Sequence, residues 1–282
     1  MKQHLVKTSK KKLVKKTIKG SGIRPSFRKT RKIDSKKQVK TKTNKMMKKG
    51  GRRVKVPQDA ITYMCNKKNI TTELDLSNCP NLTELDCNTN RITELDLSNC
   101  PNLTHLSCYN NQITELDLQN CPNLTHLVCD SNQIKELDLS NCPNLIELSC
   151  SGNQMTELDL SNCHNLTQLA CDGNQLTELG LFLPDLILLN CSNNKLEKLH
   201  LNCPNLTDLL CDENELTELD LSNCPKLKEL NCDTDKLKDL DISQNDELDY
   251  IEDFDYGVHQ DIEQYRQWCK ENCTHHHQDT LK

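Results

Sequence analysis

The first 56 residues contain one acid, Asp34, and one aromatic, Phe27, against 23 Lys and Arg. They also hold few large apolar residues and no sustained hydrophobic period. Burial cannot repay the entropy of ordering such a segment, so residues 1–56 are expected to be a disordered basic tail. No apolar stretch of roughly 7–15 residues follows the early lysines, which argues against a secretory leader. No segment reaches the roughly 20 apolar residues of a membrane-spanning helix. A mitochondrial presequence fits poorly, because the tail has 18 Lys to 5 Arg. The 18 cysteines include no CxxC pair, which removes the commonest zinc-ligand spacing. These absences place the chain, as an expectation, in a reducing intracellular compartment, cytoplasmic or nuclear, with no membrane contact.

The phrase TELDLSNCPNLTELDCNTNRI at residues 72–92 returns as TELDLSNCPNLTHLSCYNNQI at 93–113 and recurs with drift to Leu237. Self-similarity at one short period means a stack of identical units, none able to bury its apolar face alone, which is a solenoid. Each unit, or rung, has the spacing Leu82, Leu85, Cys87, Asn90, Ile92, and the alternation at 85–87 predicts one short strand per rung. In this spacing the chain resembles the leucine-rich repeat family, nearest to the 21-residue, cysteine-bearing internalin-type repeats of bacterial and large-virus proteins. Eight units match from Leu82 to Leu227, with a decayed ninth near Leu248. The resemblance implies an α/β repeat solenoid, a right-handed superhelix with a parallel β-sheet on the concave face, and short helical caps. The solenoid is expected over 72–251, an N-terminal cap over 57–71 and a C-terminal helical cap and tail over 252–282. Ala60, Ile61, Met64 and Cys65 stand at helical spacing before the stack, and Ile262, Tyr265, Trp268, Cys269 and Cys273 after it. The run His275, His276, His277 adds metal-ligand types there, but the cysteines are read as the buried face of the cap.

Fifteen cysteines fall into two registers, one ending the strands (Cys87, Cys108 and onward) and one preceding the next unit (Cys79, Cys100 and onward). One unit has Leu183 in the second register. A site that accepts leucine is an apolar core site, so the ladders are expected to be buried, reduced and metal-free. A third register holds Asn90, Asn111, Asn132, Asn153, Asn174, Asn194 and Asn214, ending in Asp235. A polar residue repeated at an interior position needs partners, and neighbouring loop backbone supplies them. The five NLT sequons are by-products of the repeat.

The residual charge is split: residues 1–56 carry +22 and the remainder −27. Outward carboxylates Glu73/Asp75 through Glu157/Asp159 repeat over five rungs on the side opposite the strands, a surface that draws counterions or a basic partner. On the strand side, His105 and His126 are neighbours flanked by Glu84 and Glu147, but no set of nucleophile, base and orienting group is apparent. The chain is therefore read as a non-enzyme needing no cofactor or metal. Order breaks at residues 177–216, where two units shrink to 20 residues, Gly180 and Phe182 replace Asp and Ser, and Lys198 and His200 replace the acidic pair. There Leu188 and Leu210 enter outward strand positions, with Asn190 and Asp208 beside them. These four are the expected contact with an unidentified protein partner, because desolvated apolar side chains supply binding energy. In the tail, Lys10, Lys11, Lys12, Lys48, Lys49, Arg52 and Arg53 suit nuclear import or phosphate contact. With no aromatic but Phe27, any nucleic-acid binding would follow charge rather than sequence. The expected function is a monomeric interaction scaffold with a targeting tail; the alternative is a nuclear or nucleolar nucleic-acid-associated protein that acts through the tail.

Overall fold

The structure, a computed structural model, describes residues 54–252 apart from Thr72, Asp235, Lys238 and Asp239. The strands in chain order are β1 (Val54–Lys55), β2 (Thr62–Met64), β3 (Leu74–Asp75), β4 (Glu84–Asp86) and β5 (His105–Ser107). Next come β6 (His126–Val128), β7 (Glu147–Ser149), β8 (Gln168–Ala170), β9 (Glu178–Leu181) and β10 (Leu188–Asn190). The last are β11 (Lys198–Leu201), β12 (Asp208–Leu210), β13 (Glu229–Asn231) and β14 (Tyr250–Glu252). Ten of them form one parallel sheet in the order β14-β13-β12-β10-β8-β7-β6-β5-β4-β2. The two other pairs, β1 with β3 and β9 with β11, are also parallel.

Each rung closes because its polar backbone has a fixed destination. Two tight turns bracket the cysteine, as in Cys100 N to Leu97 O (2.9 Å) and Leu103 N to Cys100 O (3.1 Å). Beyond the strand the chain reverses through a left-handed residue: Thr89, Asn110, Ser131, Gly152, Gly173, Asn193 and Glu213 all have φ between 52° and 65°. Only two of these are glycine, so most rungs carry the strain that a Cβ meets in this region.

The interior is built by repetition. Leu82, Leu85, Cys87, Ile92, Leu97 and Cys100 are each at most 2% exposed, and the same positions are buried down the stack. All sixteen cysteines of the described residues are free and buried, the ladders among them, and Leu183 fills its place in the register at 1% exposure. After Cys224 the register passes to Asn245, wholly buried, whose Nδ2 donates to the carbonyls of Leu221 (3.2 Å) and Cys224 (2.8 Å). The asparagine register does what interior polarity demands. Asn111 Oδ1 accepts from Ile92 N (3.0 Å), while its Nδ2 donates to the carbonyls of Cys87 (3.1 Å) and Cys108 (2.9 Å). The same clamp repeats at Asn132, where Ile113 N, Cys108 O and Cys129 O are the partners.

The N-terminal end differs from the expected helical cap: among the described residues there is no helix. Thr62–Met64 instead pairs in register with Glu84–Asp86. The apolar spacing at 60, 61, 64 and 65 fits a helix, but the chain here docks on an open sheet edge, and ladder hydrogen bonds to the next rung prevail over local periodicity. Ile61 and Met64 are accordingly exposed while Cys65 is buried. Ahead of the cap expected from residue 57, Val54–Lys55 pairs with Leu74–Asp75 and Val56 is buried. Tail residues 1–53, Asp235 of the asparagine register, and the expected cap at 253–282 with its Trp268, Cys269, Cys273 and histidines lie outside the described residues. Among the described residues no helix is long and apolar enough to cross a membrane.

Candidate interaction surface

Parallel in-register pairing turns each strand position into a row across the sheet. The first row runs Glu84, His105, His126, Glu147, Gln168, Leu188, Asp208, Glu229. The third strand position gives a second row in which Ala170, Asn190, Leu210 and Asn231 follow one another. The four residues singled out from sequence meet here. Leu188 pairs with Asp208 and Asn190 with Leu210, so the two leucines lie on a diagonal and the two polar residues on the other. All four are half-buried. The irregular rungs responsible are those that build the separate β9–β11 pair, where His200 Nε2 approaches Glu178 Oε1 at 3.7 Å.

Sequence reasoning passed over two apolar residues, one beside this tile and one two rungs before it. Ile187 and Ile146 occupy the register that is threonine in most rungs and are 47% and 38% exposed. Their departure from the NLT phrase was the available signal. Phe182, at 71% exposure, stands beyond β9, as expected for a residue that replaces an outward serine. On the strand beyond Asp208, burial and the neighbouring carboxyl of Asp208 raise the pKa of Glu229.

At the other end of the row His105 and His126 stack with ring centroids 4.3 Å apart and planes 9° from parallel. Their tautomers follow from the threonines. Thr104 Oγ1 donates to Thr83 O (3.0 Å), leaving only lone pairs for His105 Nδ1 at 2.9 Å, so that Nδ1 carries a proton. Thr125 repeats this, with Thr104 O at 2.9 Å and His126 Nδ1 at 2.9 Å. His126 Nε2 lies 3.7 Å from Glu147 Oε1. Among the described residues, no group of three or more metal-ligand side chains is placed to hold an ion.

Just past the strands, residues that vary from rung to rung form a second polar row. Asp130 Oδ1 accepts from Ser149 Oγ (2.6 Å) and Ser151 N (2.8 Å). Asp172 Oδ1 accepts from Ser151 Oγ (2.5 Å) and Asn190 Nδ2 (3.0 Å), and Asp212 Oδ1 from Ser192 Oγ (2.5 Å). Asp130 is thus turned into the structure rather than presented beyond the sheet. Burial raises the pKa of both Asp130 and Asp212. On the opposite side Glu94 through Asp159 are exposed as expected, whereas Glu73 and Asp75 are half-buried. The aspartates of that face accept from the backbone two residues on, as Asp96 Oδ1 does from Ser98 N (3.0 Å).

Residues 101–141 and 143–183 match the family model for leucine-rich repeats in two copies. The chain carries leucine-rich repeats. Among solved structures it is similar to the functional domain of InlJ from Listeria monocytogenes, whose structure is described as including a cysteine ladder. The two are 32% identical over 68% of this chain and 53% of that one, with a TM-score of 0.43. A leucine-rich repeat protein of Leptospira interrogans is 25% identical over 64% of this chain and 54% of its own, with a TM-score of 0.56. The leucine-rich repeat ectodomain of the plant receptor kinase GASSHO1/SCHENGEN3 from Arabidopsis thaliana, solved with Casparian strip integrity factor 2, is 25% identical over 64% and 26%, with a TM-score of 0.55. The leucine-rich repeat chain spans about half the length of the first two. Among curated proteins it has no match.

Proposed function

We propose that this leucine-rich repeat protein is a non-catalytic scaffold that holds a protein partner on its ten-stranded sheet. Leu188 and Leu210 are the apolar anchors, and Asn190 and Asp208 the polar contacts at their edge. The observation that carries the reading is the tile itself, four outward residues on two paired strands that put two leucines side by side in rows whose other apolar members are Met64, Val128 and Ala170. Ile187 widens the apolar area on one side. Supporting it, a similar repeat ectodomain was solved in complex with another factor. Large side chains that lose water on contact contribute more to binding than scattered rim charges.

The test is capture of partners by the full chain and by Leu188→Ser/Leu210→Ser. The double variant is expected to lose at least tenfold in recovery of a partner while its thermal midpoint moves little, since half-exposed positions add little to the core. Normal capture, or global unfolding of the variant, refutes the assignment.

The +22 of residues 1–56 supports a second, independent contact. In this reading the tail, through Lys10–Lys12, Lys48, Lys49, Arg52 and Arg53, is a nuclear address or a non-specific nucleic-acid contact whose affinity falls steeply with salt. Unchanged nucleic-acid binding and distribution after removal of residues 1–53 would refute it.

A further inference from the structure

Beside the sheet runs a groove of about 790 Å3, bordered by the asparagine and the threonine or isoleucine of successive Asn-Leu-Thr turns. In four consecutive rungs the asparagine Nδ2 donates to the carbonyl of a residue one rung back: Asn102 to Pro80 (2.8 Å), Asn123 to Pro101 (3.0 Å), Asn144 to Pro122 (3.0 Å) and Asn165 to Pro143 (3.1 Å). A carbonyl can only accept, so the orientation of each amide is fixed and its Oδ1 is the end left for a further donor. The threonine hydroxyls are already spent, as Thr104 and Thr125 donate to backbone carbonyls. The groove therefore offers one bare amide oxygen per rung, at the parallel-strand interval of about 4.8 Å.

That chemistry selects a ligand class. No Lys or Arg lines the groove, which leaves an anion without a partner, and no aromatic ring is present for a sugar or a base to stack on. Asp185 lies at one end, and residues 57–282 carry −27. Further along the same register the structure contains a cation of the required kind, for Lys226 replaces asparagine and sets its Nζ 2.8 Å from Asn205 Oδ1. We propose that the groove binds a linear polyamine, with ammonium groups on successive asparagine oxygens. Two amines separated by three carbons lie about 5 Å apart in an extended chain with bonds near 1.5 Å, in step with the rungs. Same-side lysines of an extended peptide repeat at about 6.6 Å and fall out of step.

Isothermal titration of the full chain with norspermidine, which has two three-carbon spacers, and with bis(hexamethylene)triamine, which has the same number of amines, separates register from mere charge. Norspermidine is expected to bind at least tenfold more tightly; equal affinities, or no binding, overturn the proposal. Asn123→Lys and, separately, Asn144→Lys copy Lys226 and place an ammonium on the preceding amide oxygen. Each is expected to lower norspermidine affinity at least tenfold with the thermal midpoint kept, and a folded variant that binds as the parent does refutes the site.

Discussion

Asn88 and Asp130, two rungs apart, do the same work with different side chains. Asn88 Oδ1 accepts from Ser107 Oγ (3.0 Å) and Tyr109 N (2.8 Å), and Asp130 Oδ1 accepts from Ser149 Oγ and Ser151 N in the equivalent places. One position tolerates a neutral amide and the other keeps a carboxyl that burial pushes above its ordinary pKa of 3.8. The charge of Asp130 is therefore not needed for its bonds.

Asp130→Asn should remove a pH-dependent weakness. Because the folded chain favours the protonated acid, the contribution of Asp130 to stability is full below pH 3.8 and is lost as pH rises through the raised folded value. The variant should match the parent at low pH and exceed it at pH 7, read as thermal midpoints from pH 3.5 to 8. A variant less stable than the parent at pH 7 contradicts this account.

Thr89 holds φ 55°, a conformation that a β-branched residue adopts at high cost. Thr89→Gly is expected to stabilise by about 0.5–1 kcal/mol, the relief of left-handed strain less the entropy glycine loses on folding. Gly152→Ala should cost about 1 kcal/mol. Its added Cβ would sit 3.5 Å or more from Ser131, ordinary contact, so strain alone is measured. Urea denaturation of both variants checks the pair.

Truncating Cys150, wholly buried, to Ala should destabilise by roughly 1–3 kcal/mol through the cavity it leaves. The thiols should also be inert. Burial pushes Cys100 up to about 11 and Cys65 up to about 12, so little thiolate exists at pH 8. Peptide mapping after iodoacetamide should find ladder cysteines unmodified in the folded chain and alkylated once it is unfolded. Paired thiols or a stoichiometric metal would end the reading of the ladders as core.

Asn132→Ala strands Ile113 N, whose acceptor it removes, in the buried interior, while the carbonyls of Cys108 and Cys129 each lose one donor and keep another, Asn111 Nδ2 and Asn153 Nδ2. The expected loss is about 1–3 kcal/mol, since an unsatisfied buried group costs more than the bond was worth. Chemical denaturation that reveals less than 1 kcal/mol would mean that water reaches the clamp.

Much of this was legible because a solenoid repeats its own evidence. Leu183 among cysteines revealed a core register, and the asparagine column implied backbone partners before any distance was known. What stayed hidden depended on contacts between rungs at positions that vary. Asn88, Tyr109, Asp130 and Ser151 look unrelated along the chain, and only stacking brings Ser149 and Ser151 onto one carboxyl. The first strands were hidden for a related reason: Thr62–Met64 has no repeat to betray it, and the open edge of β4 decides its conformation. In the tile proposed as a contact, Leu188 and Leu210 stood out along the chain as departures from pattern, whereas Ile187, in the register of the repeat's threonine, was passed over.

The asparagine clamps also govern how such a body can change in length. Each one bonds the loop of the rung before it as well as its own, so half of its partners lie a whole turn behind. Loss or duplication of one complete unit, such as residues 114–134, hands every clamp an equivalent neighbour, whereas a cut of any other size leaves donors facing the wrong side chains. Copy number in this protein is thus quantised, and the gene can lengthen or shorten its product only by full turns without breaking the interior hydrogen bonds.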